Sequence, residues 1–220
     1  LSELNERYEL ASSSGLTSAQ LALAGKISGR SMTEINQMYS EAPGMSDTSA
    51  YLVLTAVLND KSMTEVAQVF EQSAGSGNAS AQLTMLSFLF KKPITEINAM
   101  FKEASGSGSV SAHIVLGALL SGRSISSMND EYDLTAGSNF ASTQLLLASA
   151  LSGRPVGEIN KVFDSTVGSG ESSAALVLAQ ILSDSEISYI NSNYQAADSH
   201  GTTSARLATT TALTENSIAH

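Results

Sequence analysis

Aromatic, aliphatic and polar positions recur along this chain at one fixed interval. Tyr8, Tyr39, Phe70, Phe101, Tyr132, Phe163 and Tyr194 stand 31 residues apart without slippage. Four residues before each lies an aliphatic side chain or methionine: Leu4, Ile35, Val66, Ile97, Met128, Ile159 and Ile190. Serine recurs at Ser18, Ser49, Ser80, Ser111, Ser142, Ser173 and Ser204, and an aliphatic at Ile27, Leu58, Leu89, Leu120, Leu151, Leu182 and Leu213. Four columns in one register identify a tandem array, with repeats starting near residues 1, 32, 63, 94, 125, 156 and 187. The array runs over 1–220 as one domain and is open to extension in a longer polypeptide.

Within a repeat the pattern predicts two helices. The run Ala112–Leu120 is almost wholly apolar and follows Ser111, a residue type favoured at helix N-caps. Ala19, Leu23 and Ile27 lie at i, i+4 and i+8, one stripe of a helix whose other sides are also apolar, so burial between neighbours is expected. Gly29, Gly122 and Gly153 end this helix, where glycine accepts the left-handed conformation. Ser31-Met32-Thr33-Glu34 and Ser62-Met63-Thr64-Glu65 then read as capping boxes, and Pro93 and Pro155 share the column of Ser31 at a helix start. The second helix is amphipathic, with Met32, Ile35, Tyr39 and Ala42 on its inner face. It ends in Gly-Ser-Gly turns at 75–77, 106–108 and 168–170.

These elements predict an all-α fold, a right-handed α-solenoid of seven helix-turn-helix repeats. The competing reading takes the Leu-x-Leu pairs Leu21/Leu23 and Leu52/Leu54 as strands of an α/β leucine-rich-repeat-like solenoid. The alanine content, the run length and a period above the roughly 20–29 residues of leucine-rich repeats weigh against it.

The pieces Ala112, Leu116, Leu120 and Gly122, followed in the second helix by residues of the type Phe101, Ala104 and Gly106, loosely resemble Sel1-like and tetratricopeptide repeats. That resemblance implies an α-solenoid that binds proteins. A single such repeat cannot bury its apolar face alone, so stability comes from stacking on neighbours.

Candidate chemistry changes this picture little. Asn5, Asn36, Asn98, Asn129, Asn160 and Asn191 fill one column, broken only by Ala67. Asparagine is a mediocre helix former, so its recurrence points to an amide ladder reaching the neighbouring repeat's backbone, with a row of ligand-binding amides as the alternative. The Gly-Ser-Gly turns precede helix starts, but Ala81, Ala112 and Ala174 stand where a phosphate loop needs lysine. His113, His200 and His220 share no column, and Ser111-x-His113 lacks an orienting third group and an oxyanion site. Glu34, Glu65, Glu96 and Glu158 suit helix capping, and no stretch has the spacing of a calcium loop. The expected catalytic, cofactor-binding and metal sites are therefore none, and no cofactor is expected.

Composition narrows the partners. With 21 acidic against 11 basic residues the net charge is −10, against a nucleic-acid groove. No cysteine is present, so disulfides and thiolate chemistry are excluded. No stretch approaches the roughly 18 apolar residues of a membrane span. Only 15% of residues are charged. Scarce lysine with abundant serine, threonine, alanine and glycine suits an extracellular or virion surface, with a cytoplasmic adaptor as the alternative. Leu1 shares the column of Met32, Met63, Ile94 and Ile125, and Ile218 occupies it again, so neither end reads as a polar capping repeat, although Thr209, Thr210 and Thr211 make the last repeat more polar. The expectation is a non-enzymatic protein that stacks head-to-tail on itself, or is covered by more of its own polypeptide, and whose association Leu4→Glu weakens.

Overall fold

A computed structural model describes the backbone of residues 2–197 and 201–218, and the side chains of 5–197, 201–209 and 211–213. The expectations that rest on Leu1, Leu4, His200, Thr210, Ile218 and His220 concern side chains outside this range. Helices account for all regular structure of the described residues, which removes the leucine-rich-repeat alternative. They alternate between two kinds. Short helices are α1 (Ser2–Glu9), α3 (Met32–Glu41), α5 (Met63–Glu71), α7 (Ile94–Glu103), α9 (Ile125–Asp133), α11 (Val156–Asp164) and α13 (Ile187–Ala196). Between them run α2 (Gly15–Ser28), α4 (Asp47–Leu58), α6 (Asn78–Leu89), α8 (Ser109–Ser121), α10 (Phe140–Ser152), α12 (Glu171–Ser183) and α14 (Gly201–Ile218).

The helices form two compact units, residues 1–102 and 103–220. In the first, α4 packs between α2 and α6 and is backed by α3 and α5. In the second, α10 packs between α8 and α12 and α12 packs against α14, with α9, α11 and α13 behind them. α4, α10 and α12 thus each have an even-numbered helix on either side and short helices behind, with the remaining side open. The even helices bury many small residues, such as Ala22, Ser49, Ala50, Ala56 and Ala81. The short helices supply the bulk. Ile35, Val66 and Ile97 in the first unit and Met128, Ile159 and Ile190 in the second are all 0% exposed. Each contributes on the order of 2 kcal/mol by leaving water.

Local signals set the helix ends. Ser31 and Glu34, and Ser62 and Glu65, form complete capping boxes. Pro155 is the N-cap of α11, one residue before the helix proper. Backbone N–H and Ser62 hydroxyl bonds, with Lys61 alongside, lower the Glu65 carboxyl from its usual 4.5 to about 2. Glu34 is lowered in the same way by the Ser31 hydroxyl and backbone. A carboxylate favoured in the folded state stabilises fully above its unfolded value and loses that effect as pH falls through the folded one. Thermal melts between pH 4.5 and 2 are therefore expected to show a shallower acid-induced fall in Tm for Glu65→Gln than for the parent.

The serine column is not a row of N-caps. The even helices start a turn earlier, with Ser46, Gly77, Gly108, Asn139 and Gly170 as the caps of α4, α6, α8, α10 and α12. Ser49 and Ser111 sit at the third helical position, buried, and donate back to the Pro43 carbonyl at 3.3 Å and the Ser105 carbonyl at 3.0 Å. All five caps have φ between 48 and 54° with ψ between −114 and −127°, a region made for glycine. Ser46 and Asn139 hold it at a cost. Asn139→Gly is expected to stabilise the fold by about 1 kcal/mol, read as a higher denaturation midpoint at unchanged m-value.

Candidate functional site

The asparagine column builds a ladder. In the first unit Asn36 donates through Nδ2 to the Leu10 carbonyl (2.8 Å) and accepts through Oδ1 from Ser12 N–H (3.0 Å). Asn98 does the same with Gln72 and Ala74, both at 2.8 Å. In the second unit Asn129 spans Glu103 and Ser105, Asn160 spans Leu134 and Ala136, and Asn191 spans Ser165 and Val167. Every rung ties one short helix to the turn after the short helix before it, satisfying a carbonyl and an N–H that the turn leaves open. The exception explains itself. The N–H acceptor rung for position 67 would be position 43, and Pro43 has no N–H to give. Ala67 stands where an amide would have had half a partner.

The other candidates are likewise spent on structure. His113 lies with Nδ1 2.6 Å from the Ser109 carbonyl, and its ring meets Phe140 edge-on at 5.9 Å. Ala81, Ala112 and Ala174, in place of a phosphate-loop lysine, are buried in the core. Glu96 pairs with Lys92, and Glu131 takes the Arg123 guanidinium, raising the arginine's pKa further. No group of three metal-ligating side chains comes together among the described residues. No helix of the described residues is long and apolar enough to cross a membrane.

What the pattern of hydrophobicity hid is a row of exposed aliphatics. The stripe Ala19, Leu23, Ile27 faces outward, not into the core: Leu23 is 43% and Ile27 52% exposed. The column of Ile27 stays open throughout, from Leu213 at 39% to Ile27 at 52%. It lies on the uncovered side of the even helices, near their C-terminal ends. Three residues on stands a cation in five successive repeats: Arg30, Lys61, Lys92, Arg123 and Arg154. This second column was legible in the sequence as a 31-residue period of positive charge. In the first unit an open depression beside it is lined by Asn59, Lys61, Phe88, Lys91 and Lys92. Such a row of apolar and charged groups suits contact with another protein surface.

Comparison of the chain with protein-family models, with curated proteins and with solved structures gave no match.

Proposed function

We propose that the chain is a non-enzymatic structural protein, a right-handed α-solenoid of seven 31-residue repeats that associates with itself to build an extracellular filament, surface layer or virion component. The observation that carries this reading is the aliphatic column, exposed in every repeat although an apolar side chain at 31-residue spacing serves no solvated purpose. It is supported by the fate of the amide column, since Asn36, Asn98, Asn129, Asn160 and Asn191 all bond backbone groups within the fold. Head-to-tail stacking of copies extends the same repeat-on-repeat packing.

Sedimentation velocity over a concentration series tests the reading. Association that grows with concentration is expected, and a monodisperse monomer throughout overturns it. A second reading, an intracellular adaptor of the Sel1-like or tetratricopeptide kind, draws on the same exposed column as a docking face for an unrelated protein. Mass-spectrometric location of the protein, on purified particles or inside cells, separates the two.

A further inference from the structure

One polar residue of the first unit is only half used by the fold. Asn78 opens α6 directly after the Gly75-Ser76-Gly77 turn and is exposed, as are Ser76 and Gly77. Its Oδ1 accepts the Thr48 hydroxyl at 2.7 Å. One repeat earlier Thr17 makes the same contact with Asp47 Oδ1, and a carboxylate can only accept, so the oxygen is the part of Asn78 that this packing needs. Its Nδ2 makes no hydrogen bond among the described residues. The column also holds Leu16, Asp47, Ser109, Phe140, Glu171 and Thr202, so nothing in the repeat calls for an amide there. Ser80, two residues on, supplies the rest of a motif. Asn78-Ala79-Ser80 is the chain's single Asn-x-Ser/Thr tripeptide. The serine column stands two residues after this position in every repeat, and Asn78 alone turns it into an acceptor sequence for an N-linked glycan.

We propose that Asn78 carries an N-linked oligosaccharide. The inference rests on the extracellular reading, because the transfer takes place on a chain entering a secretory compartment, and it goes beyond that reading in naming the modified atom. Nδ2 attacks the anomeric carbon of a lipid-pyrophosphate-linked oligosaccharide. The carbon–nitrogen bond forms as the carbon–oxygen bond to pyrophosphate breaks. The lipid pyrophosphate leaves with the electron pair, and Nδ2 gives up one proton. Ser80 is 4% exposed in the folded chain, so the transfer precedes the packing of α6. The folded chain accommodates the product, since Oδ1 keeps its bond to Thr48 and the sugar extends from the unbonded side of an exposed amide. Asn78 and Leu89 are the first and last residues of α6, about 17 Å apart along its axis. The glycan therefore covers one end of the helix and leaves the aliphatic column at the other end uncovered.

The test starts from the protein recovered from purified particles or extracellular material. A peptide N-glycosidase acting in heavy-oxygen water converts a glycosylated asparagine to isotope-marked aspartate. Peptide mass spectrometry is expected to find that mark at Asn78 in most molecules. Beside it, the parent and Asn78→Asp are secreted from the same glycosylation-competent cells. The variant keeps the fold, because Asp47 already makes this contact with Thr17, and circular dichroism checks that it does. The parent is expected to migrate more slowly than Asn78→Asp on a denaturing gel until the glycosidase brings the two together. Equal migration before treatment shows that the sequence is no acceptor and overturns the site. An extracellular protein whose Asn78 is bare overturns the site and leaves the extracellular reading standing. A protein confined to the inside of cells, with Asn78 bare, overturns both.

Discussion

Gly137→Ala is expected to destabilise the fold by about 3 kcal/mol, because the added methyl group meets backbone that has nowhere to go. A Cβ at this position lies 2.8 Å from the Ser142 nitrogen and 2.9 Å from the Ala141 carbonyl carbon, in the first turn of α10. Gly75 and Gly168 make the same close approach to Ser80 and Ser173. At 75–77 and 168–170 the first glycine is therefore there for space and the second for its conformation, whereas Gly106 itself has a φ of 84°. Gly153→Ala separates the two effects: its φ is 68° but nothing lies within 4 Å of the new methyl. It is expected to cost only about 1 kcal/mol, the strain of the left-handed conformation. Urea denaturation of both variants checks the contrast. Equal losses would mean that the turn yields and that the tight approach is not what demands glycine.

Removing two rungs of the amide ladder, Asn129→Ala with Asn160→Ala, is expected to cost about 2 kcal/mol, on the order of 1 for each rung. Each alanine leaves a turn carbonyl and a turn N–H without their protein partner, and water at this half-open surface returns part of the loss. The broken rung offers the converse experiment. Ala67→Asn alone is expected to gain little, since Pro43 supplies no donor. Pro43→Ser with Ala67→Asn completes the pair, with serine at position 43 as at Ser12 and Ser105, and the coupling is expected to be favourable by roughly 1 kcal/mol in a double-mutant cycle. Zero coupling would show that the amides reach the turns without stabilising them.

The ladder was legible before any coordinates because asparagine is a poor choice for a helix, and a poor choice repeated at one interval has a reason outside the helix. The pairing of Ala67 with Pro43 needed the structure, since nothing in the spacing says that an amide reaches back 24 and 26 residues. The serine column misled for a definable reason. Serine before an apolar run has the chemistry of an N-cap, but glycine or its strained substitutes Ser46 and Asn139 start the helix a turn sooner. The serine is then carried inside, where the Ser49 and Ser111 hydroxyls donate to carbonyls of the preceding turn.

Periodicity and local chemistry sufficed for the helix pairs, their capping boxes and the inward column Ile35, Val66, Ile97, Met128, Ile159 and Ile190. These depend on residues within one or two turns of each other, where sequence distance and spatial distance agree. The fate of Leu58 or Leu151 did not follow from such information. Both sit in helices apolar on nearly every side, and hydrophobicity alone assigns them to a core. Whether an apolar side chain is buried depends on which neighbours the helix acquires, and packing surrounds α4 and α10 with even helices on either side and short helices behind while leaving the side of Leu58 and Leu151 bare. The same packing brings Lys61 and Lys92, 31 residues apart in the chain, to one open depression with Asn59, Phe88 and Lys91.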